Sequence, residues 1–141
     1  MNYLLDTCVI SEIRRKSADT NVCEWVSEKS LDQLYLSVIT LGEIQSGIRQ
    51  KIKDPIQQKT LTEWLEKNLI PRFSRRILGV DMQSSLLWGD LIGAAKANGE
   101  PVPVIDALIA ATAQQHKLVL ATRNVTDFER FPLTIVNPWE A

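Results

Sequence analysis

The sequence has little histidine and cysteine, and its charges nearly cancel. A single histidine, His116, excludes catalytic schemes that need two imidazoles and most histidine-rich metal sites. The two cysteines, Cys8 and Cys23, lie outside any Cys-x-x-Cys pair, so we expect both to be reduced. With 16 Lys and Arg residues against 17 Asp and Glu residues, the chain lacks a broad positive face for nucleic acid. A polyanion would have to be bound by local patches or by metal.

Phosphate-binding and membrane-spanning motifs are also missing. The sequence has no glycine-rich phosphate loop and no Gly-x-Ser-x-Gly turn. No apolar run approaches the roughly 20 residues needed to cross a bilayer, and no signal peptide follows Met1. We therefore expect a soluble, cytoplasmic protein with a single domain over residues 1–141 and no membrane contact. The side chains left for chemistry are mostly carboxylates.

Short apolar runs alternate with helical patterns along the chain. Five runs are typical of buried strands: residues 2–5, 34–37, 77–80, 118–121 and 133–136. Helical spacing predicts helices in the intervening segments, at about 9–16, 19–29, 38–52, 55–70, 82–98 and 104–113. Helices that alternate with short apolar strands favour an α/β fold, in which a parallel sheet is covered on both faces.

Local signals add detail to two of these helices. Asp54 followed by Pro55 predicts a helix start, and this helix is expected to stop before Pro71. The helix that leads into the fourth strand is expected to face inward with four residues at helical spacing: Ile105, Leu108, Ile109 and Thr112.

Three carboxylates stand near predicted strand ends. Asp6 follows the first strand, and Glu43 lies just inside the helix after the second. Asp106 lies in the first turn of the helix that leads into the fourth strand. Ligands of open α/β sheets bind at the carboxyl ends of the strands, where chain direction places Asp6 and Glu43. Asp106 joins them only if its helix points its N-terminus at the same edge, which a right-handed crossover does not by itself guarantee.

Each carboxylate also has a purely structural interpretation. Asp6 would cap the first helix, Glu43 would complete a capping box begun by Thr40, and Asp106 would complement a helix dipole. All three, however, are flanked by hydrophobic residues, and two carboxylates about 4 Å apart repel by roughly 4 kcal/mol at an effective dielectric of 20. No Lys or Arg lies within four residues of Asp6 or Asp106. A hard cation, Mg²⁺ or Mn²⁺, is therefore the natural partner.

Four blocks of the sequence form a joint pattern. They are Leu-Leu-Asp-Thr-Cys-Val-Ile-Ser at 4–11, Leu-Ser-Val-Ile-Thr-Leu-Gly-Glu at 36–43, Ile-Asp-Ala-Leu-Ile-Ala-Ala-Thr-Ala at 105–113, and Ala-Thr-Arg-Asn at 121–124 through Asp-Phe at 127–128. Together they resemble the PIN-domain family, and most closely its VapC and FitB group of bacterial toxins. The ending Val-Asn-Pro-Trp at 136–139 is similar as well. The blocks occur in the family's order and cover essentially the whole chain.

This resemblance implies a three-layer fold, with a central parallel five-stranded sheet flanked by helices. It also implies an Mg²⁺-dependent endoribonuclease that hydrolyses RNA phosphodiester bonds by metal-activated water. The family's first three acidic positions map onto Asp6, Glu43 and Asp106. Its fourth falls on Asn124, a neutral amide that holds a cation less well than a carboxylate does, and Asp127 is a further metal-ligand candidate. Cys8 departs from the family pattern, because relatives commonly have Asn or Ser there.

The proposed site has direct ligands, a surrounding shell and macromolecular partners. Asp6 and Asp106 would hold the ion, and Glu43 would bind it through water or orient the attacking water. Hydroxyls that would steady carboxylates or waters, or alternatively only cap locally, belong to Thr7, Ser11 and Thr122. The resemblance further implies an RNA substrate, a cognate antitoxin that sends a basic side chain into the acidic pocket, and a homodimer.

Two other function classes remain. A non-catalytic Mg²⁺-binding signalling module, such as a response-regulator receiver, expects adjacent acids after the first strand, and this sequence has none beside Asp6. A catalytically inactive PIN scaffold would bind partners only, and the intact acids argue against it. Two basic groups are either phosphate contacts or solvated helix ends: residues 14–16, and Arg72, Arg75 and Arg76.

Overall fold

A central parallel sheet organises the protein, and the computed structural model describes all residues, 1–141. Its five strands are β1 (Tyr3–Leu5), β2 (Leu34–Ser37), β3 (Ile77–Leu78), β4 (Val119–Ala121) and β5 (Ile135–Val136). They lie in the order β3-β2-β1-β4-β5, and every neighbouring pair is parallel. The prediction of a parallel five-stranded α/β sheet flanked by helices is confirmed.

Eight α-helices surround the sheet. They are α1 (Thr7–Arg14), α2 (Thr20–Ser27), α3 (Val38–Arg49), α4 (Pro55–Trp64), α5 (Ile70–Arg72), α6 (Met82–Ala97), α7 (Val104–Gln115) and α8 (Val125–Phe128). None of them combines the length and the apolarity needed to cross a membrane. The sequence patterns located most of these helices, but they missed α8, which has only four residues.

The central strand β1 supplies both sides of the core. Successive side chains of a strand point to opposite faces. Leu5 accordingly packs into one buried cluster and Leu4 into the other, and both are fully buried. Asp6 directly follows the strand, and its backbone N–H donates to the Ala121 carbonyl at 3.0 Å. Packing on both faces therefore fixes where the Asp6 side chain begins.

The prediction that a helix stops before Pro71 is wrong. After α4 the chain continues through a π-helical stretch, Leu65–Leu69, directly into α5, which contains Pro71. Proline lacks the N–H that an α-helix requires and crowds the preceding turn, whereas a π turn changes the hydrogen-bond spacing there. Four residues at intervals of four are buried along this stretch: Leu61, Leu65, Leu69 and Phe73. Burial of these four residues stabilises the helical path through Pro71, although proline ordinarily ends a helix.

The inward face predicted for α7 is also partly wrong. Ile105 is 41% exposed. The buried residues of the helix are mostly small: Ala107, Ile109, Ala110, Ala111, Thr112 and Ala113. An almost wholly apolar helix gives little periodic contrast, so spacing alone does not identify its inner face. The alanines let α7 approach the sheet and α6 closely.

Arg76 is a structural residue rather than a free phosphate contact. Its guanidinium donates to the carbonyl oxygens of Leu31, Leu34 and Arg72 at 2.5, 2.9 and 2.7 Å, and it lies over the Phe73 ring. We expect Arg76→Ala to lower the free energy of unfolding by about 2–3 kcal/mol, because charged hydrogen bonds contribute more than neutral ones. Urea denaturation measures the free energy of unfolding, and Arg72→Ala, a substitution at an exposed position, is the control. Equal losses of stability in the two variants would contradict a structural role for Arg76.

Candidate active site

Asp6 is the most deeply buried acid at the carboxyl edge of the sheet. It is 7% exposed and caps α1, with Oδ1 accepting from the Thr7 N–H at 2.9 Å. Burial raises the pKa of its carboxyl, and the charge of Asp127 raises that pKa further, while hydrogen bonds from Thr122, Thr7 and Cys8 oppose the rise. Asp6 is therefore a helix cap and also a carboxyl group whose charged form is disfavoured by its surroundings.

Thr122 connects Asp6 to the segment after β4. Its fully buried hydroxyl donates to Asp6 Oδ2 at 2.8 Å and accepts from the Asn124 backbone N–H at 3.0 Å. The Cys8 thiol lies beside the same oxygen, with Sγ 3.8 Å from Asp6 Oδ2 and 3.6 Å from the Thr122 hydroxyl. Burial, first of all, raises the pKa of that thiol. The thiol thus adds a hydrogen-bond donor to the shell around Asp6.

Glu43 projects from α3 toward Thr7 of α1. The Thr7 hydroxyl donates to Glu43 Oε1 at 2.5 Å and lies 3.2 Å from the hydroxyl of Thr40. The suggested capping box between Thr40 and Glu43 is wrong: Ser37 caps α3, and its hydroxyl accepts from the Ile39 N–H at 3.0 Å. The sequence pattern indicated Thr40 only as part of a helix cap. Its position three residues before Glu43, on the same helix face, was the signal that it belongs to the site.

Asp106 lies with the other acids because of the direction of its helix. Since α7 ends where β4 begins, its first turn lies toward the opposite edge, where the strands end. Burial raises the pKa of the Asp106 carboxyl, and so do the charges of Asp127, Asp6 and Glu43, while Arg130 opposes them. The charges of all three other acids therefore act on Asp106 at this edge.

The remaining predicted residues lie around this group. Asn124, exposed, precedes α8, and Asp127 lies exposed in the first turn of that helix. Ser11 is exposed on α1, where it lines a cavity of about 340 Å³ together with Thr7 and Glu43, without a hydrogen bond to any acid of the site. Asp127, rather than Asn124, supplies the fourth negative charge that acts on both Asp6 and Asp106.

The donor set fits a hydrated hard cation better than a closed metal cage. The chain's one salt bridge joins Arg15 and Glu12, so none of the site acids is paired with a basic side chain. No three acid, imidazole or thiol side chains already enclose a common ion position. Mg²⁺ binds through one or two carboxylates and keeps several waters, whereas structural zinc requires about four protein ligands. An open group of oxygen ligands thus suits Mg²⁺ or Mn²⁺.

Asp127→Asn is expected to weaken Mn²⁺ binding by about tenfold, since it removes one unit of nearby negative charge and keeps the side-chain size. Isothermal titration calorimetry measures the dissociation constant. Glu129→Gln is the matched control, because Glu129 is an exposed acid that directly follows α8, outside the first turn that carries Asp127. An unchanged dissociation constant for Asp127→Asn would exclude this residue from the site.

Acids that have no basic partner lie together at the carboxyl edge of this parallel α/β sheet. The fold and site therefore define a class of α/β proteins that bind their ligands in the crevice at the carboxyl ends of the strands. Comparison with known proteins narrows that class. The sequence model of the PIN domain matches residues 3–132. The chain therefore belongs to the PIN-domain family.

Relatives of known name cover nearly the whole chain. Plasmid stability protein StbB of Pseudomonas syringae pv. tomato is 40% identical, over 98% of this chain and 99% of its own length. VapC ribonuclease Y4jK of Sinorhizobium fredii is 36% identical, over 97% of both chains. Toxin FitB of Neisseria gonorrhoeae is 35% identical, over 96% and 97%. The crystal structure of FitAcB from Neisseria gonorrhoeae superposes with a TM-score of 0.90 at 34% identity, covering 99% of each chain.

Proposed function

We propose that this protein is an Mg²⁺-dependent endoribonuclease and the toxin component of a VapBC-type toxin-antitoxin system. The observation that carries the proposal is the convergence of like charge on Asp106. Burial raises the pKa of this carboxyl most, the charges of Asp127, Asp6 and Glu43 raise it further against the opposing charge of Arg130, and no salt bridge joins a basic side chain to these acids. Such an arrangement is costly unless a cation binds. The ribonuclease and toxin names of relatives that match over the whole chain supply the substrate class.

Each side chain of the site has a distinct role in the proposed reaction. Asp6 and Asp106 would hold Mg²⁺, with Asp127 and Asn124 at the outer side of the site. When bound, the ion would stabilise negative charge at the phosphate and favour ionisation of water near neutral pH. Glu43, exposed and held by Thr7, orients the attacking water and accepts its proton. Thr122 keeps one Asp6 oxygen aligned.

The test is cleavage of RNA by the purified protein in the presence and absence of divalent cation. We expect cleavage with Mg²⁺ or Mn²⁺, none after treatment with EDTA, and recovery when the ion is restored. Sequencing the ends of cellular RNA after brief induction would identify the cut sites. Cleavage that persists fully in EDTA would contradict metal dependence, and no cleavage with any ion would favour the inactive-scaffold alternative.

A small antitoxin is the proposed protein partner. The unpaired acids of the site favour a partner that places a Lys or Arg side chain where the cation binds. Arg14 lies over the Trp64 ring at 5.8 Å. Both residues line the 340 Å³ cavity, which Glu43 also lines, and a second cavity of about 380 Å³. We expect the product of the adjacent reading frame to co-purify and to inhibit cleavage. A neutral or acidic inhibitory segment at the acids would contradict this.

A homodimer is proposed through the outer face of α6. Met82 and Leu86 are 77% and 67% exposed, and the exposed Gly89 and Gly93 continue the same face. A second copy would cover this apolar and small-residue stripe. We expect Leu86→Arg to convert a dimer into a monomer in analytical ultracentrifugation, while Ile56→Arg, at an 82% exposed position on α4, does not. A dimer that survives Leu86→Arg would place the interface elsewhere.

A further inference from the structure

The hydroxyl of Thr40 is buried inside the candidate site and has one recorded partner. Thr40 is fully buried on α3, and its Oγ1 lies 3.2 Å from the Oγ1 of Thr7, which contacts Glu43 Oε1 at 2.5 Å. The three groups form a continuous line from the protein interior to an exposed carboxylate. Two helices, α1 and α3, contribute to this line, so it also joins the elements that follow β1 and β2.

The charge of Glu43 sets the direction of the hydrogen bonds. An ionised carboxylate only accepts, so the single proton of the Thr7 hydroxyl must point at Glu43. Thr7 Oγ1 lies 3.2 Å from Thr40 Oγ1. Because the one proton of the Thr7 hydroxyl is committed to Glu43, the Thr40 hydroxyl is the group that donates across this contact. Donation by Thr40 polarises the Thr7 hydroxyl and strengthens its bond to the carboxylate. Thr40 also restricts the rotation of Thr7, whose proton would otherwise have other staggered positions.

Other threonines within helices bond differently. Thr60, Thr62 and Thr112 each donate to the backbone carbonyl four residues earlier, at 3.0, 2.8 and 2.9 Å. That local bond is the usual one for a helical threonine. Thr40 instead contacts a side chain 33 residues away in the sequence. Since a buried hydroxyl without a partner is costly, the Thr7 contact accounts for the presence of a polar group at this position.

From these contacts we infer that Thr40 is a positioning residue, which holds Glu43 in its working orientation through the hydroxyl of Thr7. The inference rests on the proposed nuclease function, because it assigns Glu43 the task of orienting the attacking water. Thr40 touches neither the substrate nor the ion in this assignment. Its effect passes entirely through Thr7, so losing Thr40 matters only while the Thr7 hydroxyl is present.

A double-mutant cycle on RNA cleavage tests the relay. We expect Thr40→Val to lower kcat about three- to tenfold with KM unchanged, which corresponds to one neutral hydrogen bond. Thr7→Val should lower kcat at least about tenfold, and adding Thr40→Val to it should lower kcat no further. Thr40→Ser, which retains the hydroxyl, should stay within about twofold of wild type. The matched control is Thr112→Val, which removes an equally buried hydroxyl bonded within its own helix and should leave kcat unchanged.

Urea unfolding of the same proteins gives a readout that does not depend on RNA. The midpoint shifts of Thr7→Val and Thr40→Val should be non-additive, because each change alone breaks the same contact. Additive shifts, or a full further loss of kcat when Thr40→Val is added to Thr7→Val, would overturn the relay. If wild-type protein cleaves no RNA, the proposed function fails, and additive or non-additive unfolding still decides whether the hydroxyl contact exists.

Discussion

Asp6→Asn is expected to reduce RNA cleavage at least about a thousandfold while the protein remains folded. Divalent-ion stabilisation of phosphoryl charge amounts to several kcal/mol, and about 4 kcal/mol corresponds to roughly a thousandfold in rate. Asparagine keeps the size of the side chain and an oxygen that can accept from the Thr7 N–H. Its amide can donate to the Thr122 hydroxyl, which already lies beside this position. Substrate cleavage under single-turnover conditions measures the loss.

The same substitution should leave the metal-free protein at least as stable as wild type at neutral pH. Burial raises the pKa of the Asp6 carboxyl, so the charged form is disfavoured in the folded state, and a neutral amide removes that penalty. Glu12→Gln is the matched control, since Glu12 is also buried but lies in a structural ion pair with Arg15, and it should leave cleavage unchanged. Full cleavage by Asp6→Asn would reject Asp6 as a metal ligand and with it the catalytic proposal.

Stability without metal should fall as the pH rises, and Mg²⁺ should reverse the loss. The pKa values of Asp6 and Asp106 are raised above the ordinary value of 3.8, so the folded state binds more protons than the unfolded state above that pH. The free energy of unfolding therefore decreases from about pH 4 upward and levels off once the pH passes the raised values. This trend is opposite to the one expected for acids that are paired with basic side chains.

In the proposed function Mg²⁺ binds the ionised carboxylates, so its effect on stability should be largest at neutral pH and absent near pH 4. At a hundredfold excess over its dissociation constant, the ion adds about 2.7 kcal/mol to the free energy of unfolding. For a chain of this size, the melting temperature would rise by roughly 5–10 °C. Differential scanning calorimetry at several pH values, with EDTA or Mg²⁺, measures both trends. An equal Mg²⁺ shift in Asp6→Asn would show that the ion binds elsewhere.

The sequence predicted the architecture well because the strands are short and almost wholly apolar. Five such runs separated by helical patterns leave few alternatives to a covered parallel sheet. The errors arose where tertiary packing overrides a local rule. Pro71 lies within a helical turn because the buried leucines around it continue the core, and Ile105 is exposed because alanines lie closest to the sheet.

The site was predictable only to the level of which acids belong together. Chain direction placed Asp6 and Glu43, and the orientation of α7 decided Asp106. The contact between Thr7 and Thr40 depends on how two helices pack side by side, which spacing along one helix does not reveal. The electrostatic influence of Asp127 on both Asp6 and Asp106 likewise required the position of α8.

Because β1 packs against both halves of the hydrophobic core, we expect the two halves to unfold together. The strand between the two packed layers has only three residues, Tyr3–Leu5, and the chain continues from it directly into Asp6. Leu4 packs into one layer and Leu5 into the other, so neither layer can unfold while the other layer stays packed against β1. Amide hydrogens of Leu4 and Leu5 should therefore exchange with deuterium only when the entire molecule opens. A partly unfolded form of the protein would therefore not keep the acids of the site together.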